Sequence, residues 1–134
     1  MEPKKRVIAL VAHDGMPKQD ICKFINYGKN KEILKNFDLI GTEATAKMIH
    51  EICQLDVRSI GHGPAGGDIK IANELIDGRL DYLFFFINYD LVQAHQVDID
   101  MLVRWAAKRN IPLAVNRATA DCIIQTLANP RIET

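Results

Sequence analysis

Two pairings of histidine with a carboxylate and one glycine run give this chain its chemical capacity. They are His13-Asp14, His95 with Asp98, and Gly61-His62-Gly63-Pro64-Ala65-Gly66-Gly67-Asp68. A neutral imidazole can both donate and accept a hydrogen bond, and a carboxylate can take a proton from carbon, so these residue types suit moving protons on a small carbonyl compound. Lys18, Thr42 and Thr45 add a cation and two hydroxyls. The glycines let backbone N–H groups approach an anion at a helix N-terminus, which suits a phosphate. Taken singly, each group has a plainer reading: Asp68 as a helix cap, His13-Asp14 as a turn and cap, His95 as a loop histidine. Their convergence on one region favours a site. His50 lies in a helical pattern and is read as a surface residue without a role.

Other sites fit less well. Gly61 to Gly66 matches GxGxxG, but it follows the third strand and contains Pro64, so the dinucleotide context is missing. No GxxxxGK[ST] is present, and Asn116-Arg117 stands where a phosphoacceptor receiver would need a lysine.

The elements that must position these residues follow from the period of the apolar ones. Arg6–Ala12, Asp38–Gly41, Val57–Ile60, Asp81–Ile87 and Ile111–Val115 are mostly continuous apolar runs, as buried parallel strands require. Between them apolar residues recur at helical spacing: Ile21, Phe24 and Ile25, then Ile33, Leu34 and Phe37; Ile49, Ile52 and Cys53; Ile71, Ala72, Leu75 and Ile76; Leu102, Val103 and Ala106; Ala120, Ile123, Ile124 and Leu127. Gly78 reads as a helix C′ residue and Asn129-Pro130 as a stop. Five strand–helix pairs predict a three-layer α/β/α domain on a five-stranded parallel sheet, which binds ligands beside the carboxyl ends of its strands. The loops expected there are His13 to Lys18, Thr42 to Thr45, Gly61 to Asp68, Asn88 to Asp98, and Asn116 to Thr119.

Size and charge narrow the partners. A chain of 134 residues is expected to form one domain over 1–134, and 17 basic against 17 acidic residues give no basic surface for nucleic acid. The apolar runs are too short to cross a bilayer, and the charged start before VIALVA reads as a first strand rather than a signal peptide. Cys22, Cys53 and Cys122 are odd in number, lack a CxxC and lie in helical patterns, so neither disulfides nor a metal site is expected, and a cytoplasmic location fits.

The segments VIALVAHDG, LIGTEATAKMIHE, GHGPAGGD, FFFINYD, AHQVDID and IPLAVNRATAD resemble methylglyoxal synthase, in order and across nearly the whole chain. The resemblance implies sheet order 3-2-1-4-5, a homohexamer, and conversion of dihydroxyacetone phosphate to methylglyoxal and inorganic phosphate without metal or organic cofactor. It casts Asp68 as the carboxylate base, His95 as the residue that polarises the carbonyl and relays protons, Asp98 as its orienter or a second acid, and Asp14, also catalytic, with His13 as the first-loop pair. Lys18, Thr42, Thr45, His62, Gly63, Gly66 and Gly67 become substrate and phosphate contacts, and inorganic phosphate a product and regulator. Departures from the family pattern fall at Glu43, Ala44 and Ala46, at His62, and after the fourth strand, where either Asn88 or Asp90 fills an aspartate position. Such altered loops also resemble the non-catalytic effector-binding domains at the end of carbamoyl phosphate synthetases, which stands as the alternative reading. A related lyase or isomerase acting on another phosphate is a third.

Overall fold

The computed structural model describes residues 5–60, 63–88, 90 and 92–128, and within 63–69 and 92–98 the backbone alone. In chain order the elements are β1 (Val7–Ala12), α1 (Met16–Asn26), α2 (Asn30–Leu34), β2 (Asp38–Gly41), α3 (Glu43–Cys53), β3 (Arg58–Ser59), α4 (Gly63–Ile76), β4 (Tyr82–Phe86), α5 (Val92–Arg109), β5 (Leu113–Ala114) and α6 (Arg117–Ala128). The strands form one five-stranded sheet in the order β3-β2-β1-β4-β5, parallel at every pairing. Both the architecture and the order agree with expectation.

The apolar runs become strands because both faces of the sheet are covered. Ile8, Leu10, Ala12, Leu39, Phe84, Phe86 and Ala114 pack with residues of α1, α2, α3 and α6. Their alternate neighbours Val7, Ala9, Val11, Ile40, Leu83, Phe85 and Ile87 pack with residues of α4 and α5. Successive side chains on a strand point to opposite faces, so one continuous apolar run serves two separate cores. Phe24, Phe84 and Phe86 are at most 1% exposed, and burying a side chain of that size contributes roughly 1.5–3 kcal/mol.

The edge strands are shorter than the sequence suggests, since Val57, Ile60, Ile111 and Val115 flank β3 and β5 rather than joining them. An edge strand has a partner on one side only, so its ends are held less firmly. The sequence also predicts five helices where six form among the described residues. Gly28, with φ +54°, breaks the first helical stretch, and α1 ends with Tyr27 in an extended conformation.

Two helices end in the same way. After α4, Gly78 takes φ +75° while its N–H reaches the Leu75 carbonyl and that of Arg79 reaches Glu74. After α5, Asn110 takes φ +56°, with Asn110 bonded to Ala107 and Ile111 to Ala106. Both are Schellman endings, in which a left-handed residue turns the last free carbonyls onto donors. Among the described residues no helix is long and apolar enough to cross a membrane.

Candidate active site

The sheet order reverses direction between β1 and β4, because the chain leaves β1 toward β2 on one side and reaches β4 on the other. Loops leaving two such strands diverge and open a crevice at their carboxyl ends. His13 directly follows β1, and its N–H donates to the Phe86 carbonyl at 3.0 Å. Its Nδ1 accepts from the Asn88 N–H at 3.0 Å, while the ring meets Phe85 edge-on at 5.0 Å and 84°. Asn88 Nδ2 donates to the Asp14 carbonyl at 3.1 Å, and Asn88 Oδ1 accepts the N–H of Asp90 at 3.0 Å. Asp14 binds Lys18 Nζ through its carboxylate at 2.6 Å, an i,i+4 pair spanning the start of α1. Gly15 makes the turn between them at φ +90°, which a side chain would strain.

The next strand end brings in α3. Gly41 sits so close to β1 that a Cβ there would lie 2.6 Å from the Leu10 carbonyl oxygen. Thr42 then occupies the N-cap position without a side-chain cap bond. Its hydroxyl donates instead to Thr45 Oγ1 at 3.0 Å, and Thr45 Oγ1 also accepts from the Ala12 N–H at 3.4 Å. Thr45 is only 1% exposed, so it ties α3 to the end of β1 from inside. Glu43 is the first residue of α3 and is exposed, where the helix dipole favours its negative charge. At the far side Asn116 caps α6, accepting from Thr119 N and Thr119 Oγ1 at 3.0 Å each.

Two expected loops prove to be helical. Gly63, Gly66, Gly67 and Asp68 lie within the first turns of α4, and His95 and Asp98 lie within α5. Pro64 is compatible with this because a proline in the first helical turn lacks only an N–H that has no intrahelical partner there. The glycines lower helix propensity by about 1 kcal/mol each, but at a helix start they leave the N–H groups uncovered. Side chains at Asp68, His95 and Asp98 lie outside the described residues, as does His62 altogether. What the backbone establishes is that α4 and α5 follow β3 and β4 and begin at the same sheet edge as the loop holding His13 and Asp14.

Away from this edge, His50 is exposed, with its Nδ1 3.1 Å from Asp56 Oδ1, as its surface reading requires. Cys22 and Cys53 are buried side by side between α1 and α3, with Cys53 Sγ 3.8 Å from the Cys22 carbonyl oxygen. Burial raises the Cys22 thiol, and burial followed by the neighbouring Cys22 pushes Cys53 up to about 12. Both are therefore inert packing thiols rather than nucleophiles. Among the described residues no cluster of His, Cys, Asp or Glu is placed to hold a metal ion.

No protein-family model matches the chain. It is, however, 39% identical over 118 residues to a methylglyoxal synthase of Clostridium botulinum, covering 88% of this chain and 97% of that protein. A methylglyoxal synthase of Bacillus subtilis is 38% identical over 120 residues, covering 90% of this chain and 85% of its own length. Among solved structures, the methylglyoxal synthase of Elizabethkingia anophelis superimposes with a TM-score of 0.75 at 32% identity, over 91% of this chain and 78% of that one. Likeness at this level over nearly whole chains does not favour the effector-domain reading.

Proposed function

The chain belongs to the methylglyoxal synthase family and is a lyase, and from that premise we propose that its substrate is dihydroxyacetone phosphate, which it converts to methylglyoxal and inorganic phosphate. The observation that carries the proposal is the convergence at one sheet edge of the His13-Asp14 loop, the N-terminus of α3, and the starts of α4 and α5. Helix N-termini favour an anion, and the crevice at the switch point supplies a pocket with more than one wall.

In the proposed reaction, Asp68 removes a proton from the hydroxymethyl carbon beside the carbonyl. His95 stabilises the negative charge that develops on the carbonyl oxygen, with Asp98 in the same helix to orient it. His95 next passes the proton of the neighbouring hydroxyl to the former carbonyl oxygen, and the oxyanion left on the deprotonated carbon collapses to an aldehyde as the double bond shifts and the C–O bond to phosphate breaks, giving the enol. Proton return to the terminal carbon of the enol product completes methylglyoxal. His13 donates to a substrate oxygen. Thr42 and the first N–H groups of α3 and α4 hold the phosphate with Lys18, His62, Gly63, Gly66 and Gly67, and Thr45 supports Thr42. No step calls for a cofactor. Of the two residues after β4, Asn88 fills the family's aspartate position, because its side chain joins the two loops while Asp90 is exposed.

We further propose that the enzyme works in the cytoplasm as a homohexamer of one-domain chains, with inorganic phosphate as product and regulator. Met16, Tyr27 and Ile52 are each more than half exposed and supply apolar surface for self-association. Following methylglyoxal and phosphate release from dihydroxyacetone phosphate tests the reaction. Asp68→Asn should lower turnover more than about a thousandfold with the far-ultraviolet spectrum unchanged, since the amide cannot accept the proton. Retention of about a tenth of the activity would remove Asp68 from the role of base.

A further inference from the structure

We propose that Asn88 is a positioning residue that fixes His13 in a single tautomer, with its proton on Nε2. A backbone amide can only donate. The 3.0 Å contact from the Asn88 N–H to His13 Nδ1 therefore requires a lone pair at Nδ1, and the neutral ring must carry its hydrogen on Nε2. The ring is also fixed in orientation by the Phe85 edge contact, and its backbone by the bond from His13 N to the Phe86 carbonyl.

The Asn88 side chain holds this arrangement from both ends. Nδ2 donates to the Asp14 carbonyl across the crevice, and Oδ1 accepts the N–H of Asp90 along its own chain. One group must supply both a donor and an acceptor, so an amide fits here and a carboxylate does not. An aspartate at this position would turn an acceptor toward the Asp14 carbonyl and open the link between the two loops. Gly15 makes the approach feasible, because a Cβ on that residue would stand 3.2 Å from Asn88 Nδ2. Residue 88 thus reads as asparagine for a local reason: the first loop is hung on its amide, and the imidazole before it is presented as a fixed donor.

The catalytic consequence rests on the proposed reaction, in which His13 donates to a substrate oxygen, whereas the tautomer itself does not. The test begins with long-range ¹H–¹⁵N correlation spectra of the imidazoles at pH 8, the His13 signals being assigned by their loss in His13→Gln. The wild type should show a pure Nε2–H pattern for His13. Asn88→Asp and Asn88→Ala should both show averaging between tautomers, and each should lower kcat about tenfold while KM changes less, part of what loss of a transition-state donor costs. A merely structural role for Asn88 would lower the melting temperature and leave the His13 pattern intact, and that result overturns the proposal. So does an Nδ1–H pattern in the wild type. If dihydroxyacetone phosphate is not turned over at all, the reaction fails, and the spectra of wild type and Asn88→Ala still decide the tautomer claim.

Discussion

Replacing Gly41 with alanine should unseat the end of β2. A Cβ there would stand 2.6 Å from the Leu10 carbonyl oxygen and 3.2 Å from Val57 Cγ1, and Leu10 is the register partner of Gly41 on β1. Ordinary contacts at a Cβ begin near 3.4 Å, so the two strands must part by several tenths of an ångström. The obstacle is backbone in a buried strand, which cannot rotate aside as a side chain would. Overpacking of a buried site costs about 1–3 kcal/mol, and an unyielding partner places this one near the upper end, at ~2–3 kcal/mol. For a chain of this size that corresponds to a melting temperature lowered by roughly 6–12 °C. The effect should also reach the site, since Thr42 follows directly and its carbonyl accepts the Ala46 N–H at 2.8 Å, setting the first turn of α3. Thermal unfolding followed by circular dichroism measures the first effect. Steady-state kinetics with dihydroxyacetone phosphate measures the second, as a Michaelis constant raised about threefold or more, ~0.7 kcal/mol. A variant melting within about 2 °C of the wild type, below what overpacking costs, would refute the claim that the Leu10 carbonyl fixes this position as glycine.

Glu43→Gln should change the Michaelis constant less than about threefold, because a carboxylate facing a phosphate dianion would oppose binding far more strongly than that; a tenfold gain in phosphate affinity would show that it does face the anion. Native protein treated with iodoacetamide at pH 8 should be alkylated at Cys122, which is exposed, and not at Cys22 or Cys53, and peptide mapping decides it. Because folding raises the Cys53 thiol from 9.0 to about 12, the unfolded chain gives up that proton first. This contribution to stability is present in full below pH 9 and is lost as the pH climbs toward 12, so melting temperatures measured across that window should fall less for Cys53→Ala. Light scattering at micromolar concentration should report the hexamer, and a monomer would count against it.

The central strands were legible because a buried parallel strand has no polar face to confuse the pattern: VIALVA and YLFFF carry residues for both cores in one unbroken run. The helix starts were harder. Gly63, Gly66 and Gly67 read as loop by propensity, yet the chain is helical there, which shows tertiary context overriding propensity at a helix start where Pro64 is tolerated. Between Val92 and Asp98 only Val92, Ala94 and Val97 are apolar, too sparse a stripe to set a helix apart from the loop, so the helix was expected only after Asp98. The candidate residues themselves stood out by type and position, but their linkage did not. Nothing in the spacing of His13 and Asn88 reveals that one supplies the hydrogen bond that sets the other's tautomer, because the contact joins residues 75 positions apart.

The sheet that carries the site also partitions it. Helices α1, α2, α3 and α6 settle against one face and α4 and α5 against the other, each layer with its own set of buried side chains. Of the candidate phosphate contacts, Thr42 and Lys18 belong to the first layer and Gly63, Gly66 and Gly67 to the second, where the candidate proton-transfer residues Asp68, His95 and Asp98 also lie. Substitutions that share no packing neighbours act almost independently. Changes in the Glu43-Ala44-Thr45-Ala46 stretch can therefore retune one half of the anion's cradle while the half built on α4 stays fixed beside the candidate base: the grip on the ligand is divided between two layers, and only one of them is tied to the chemistry.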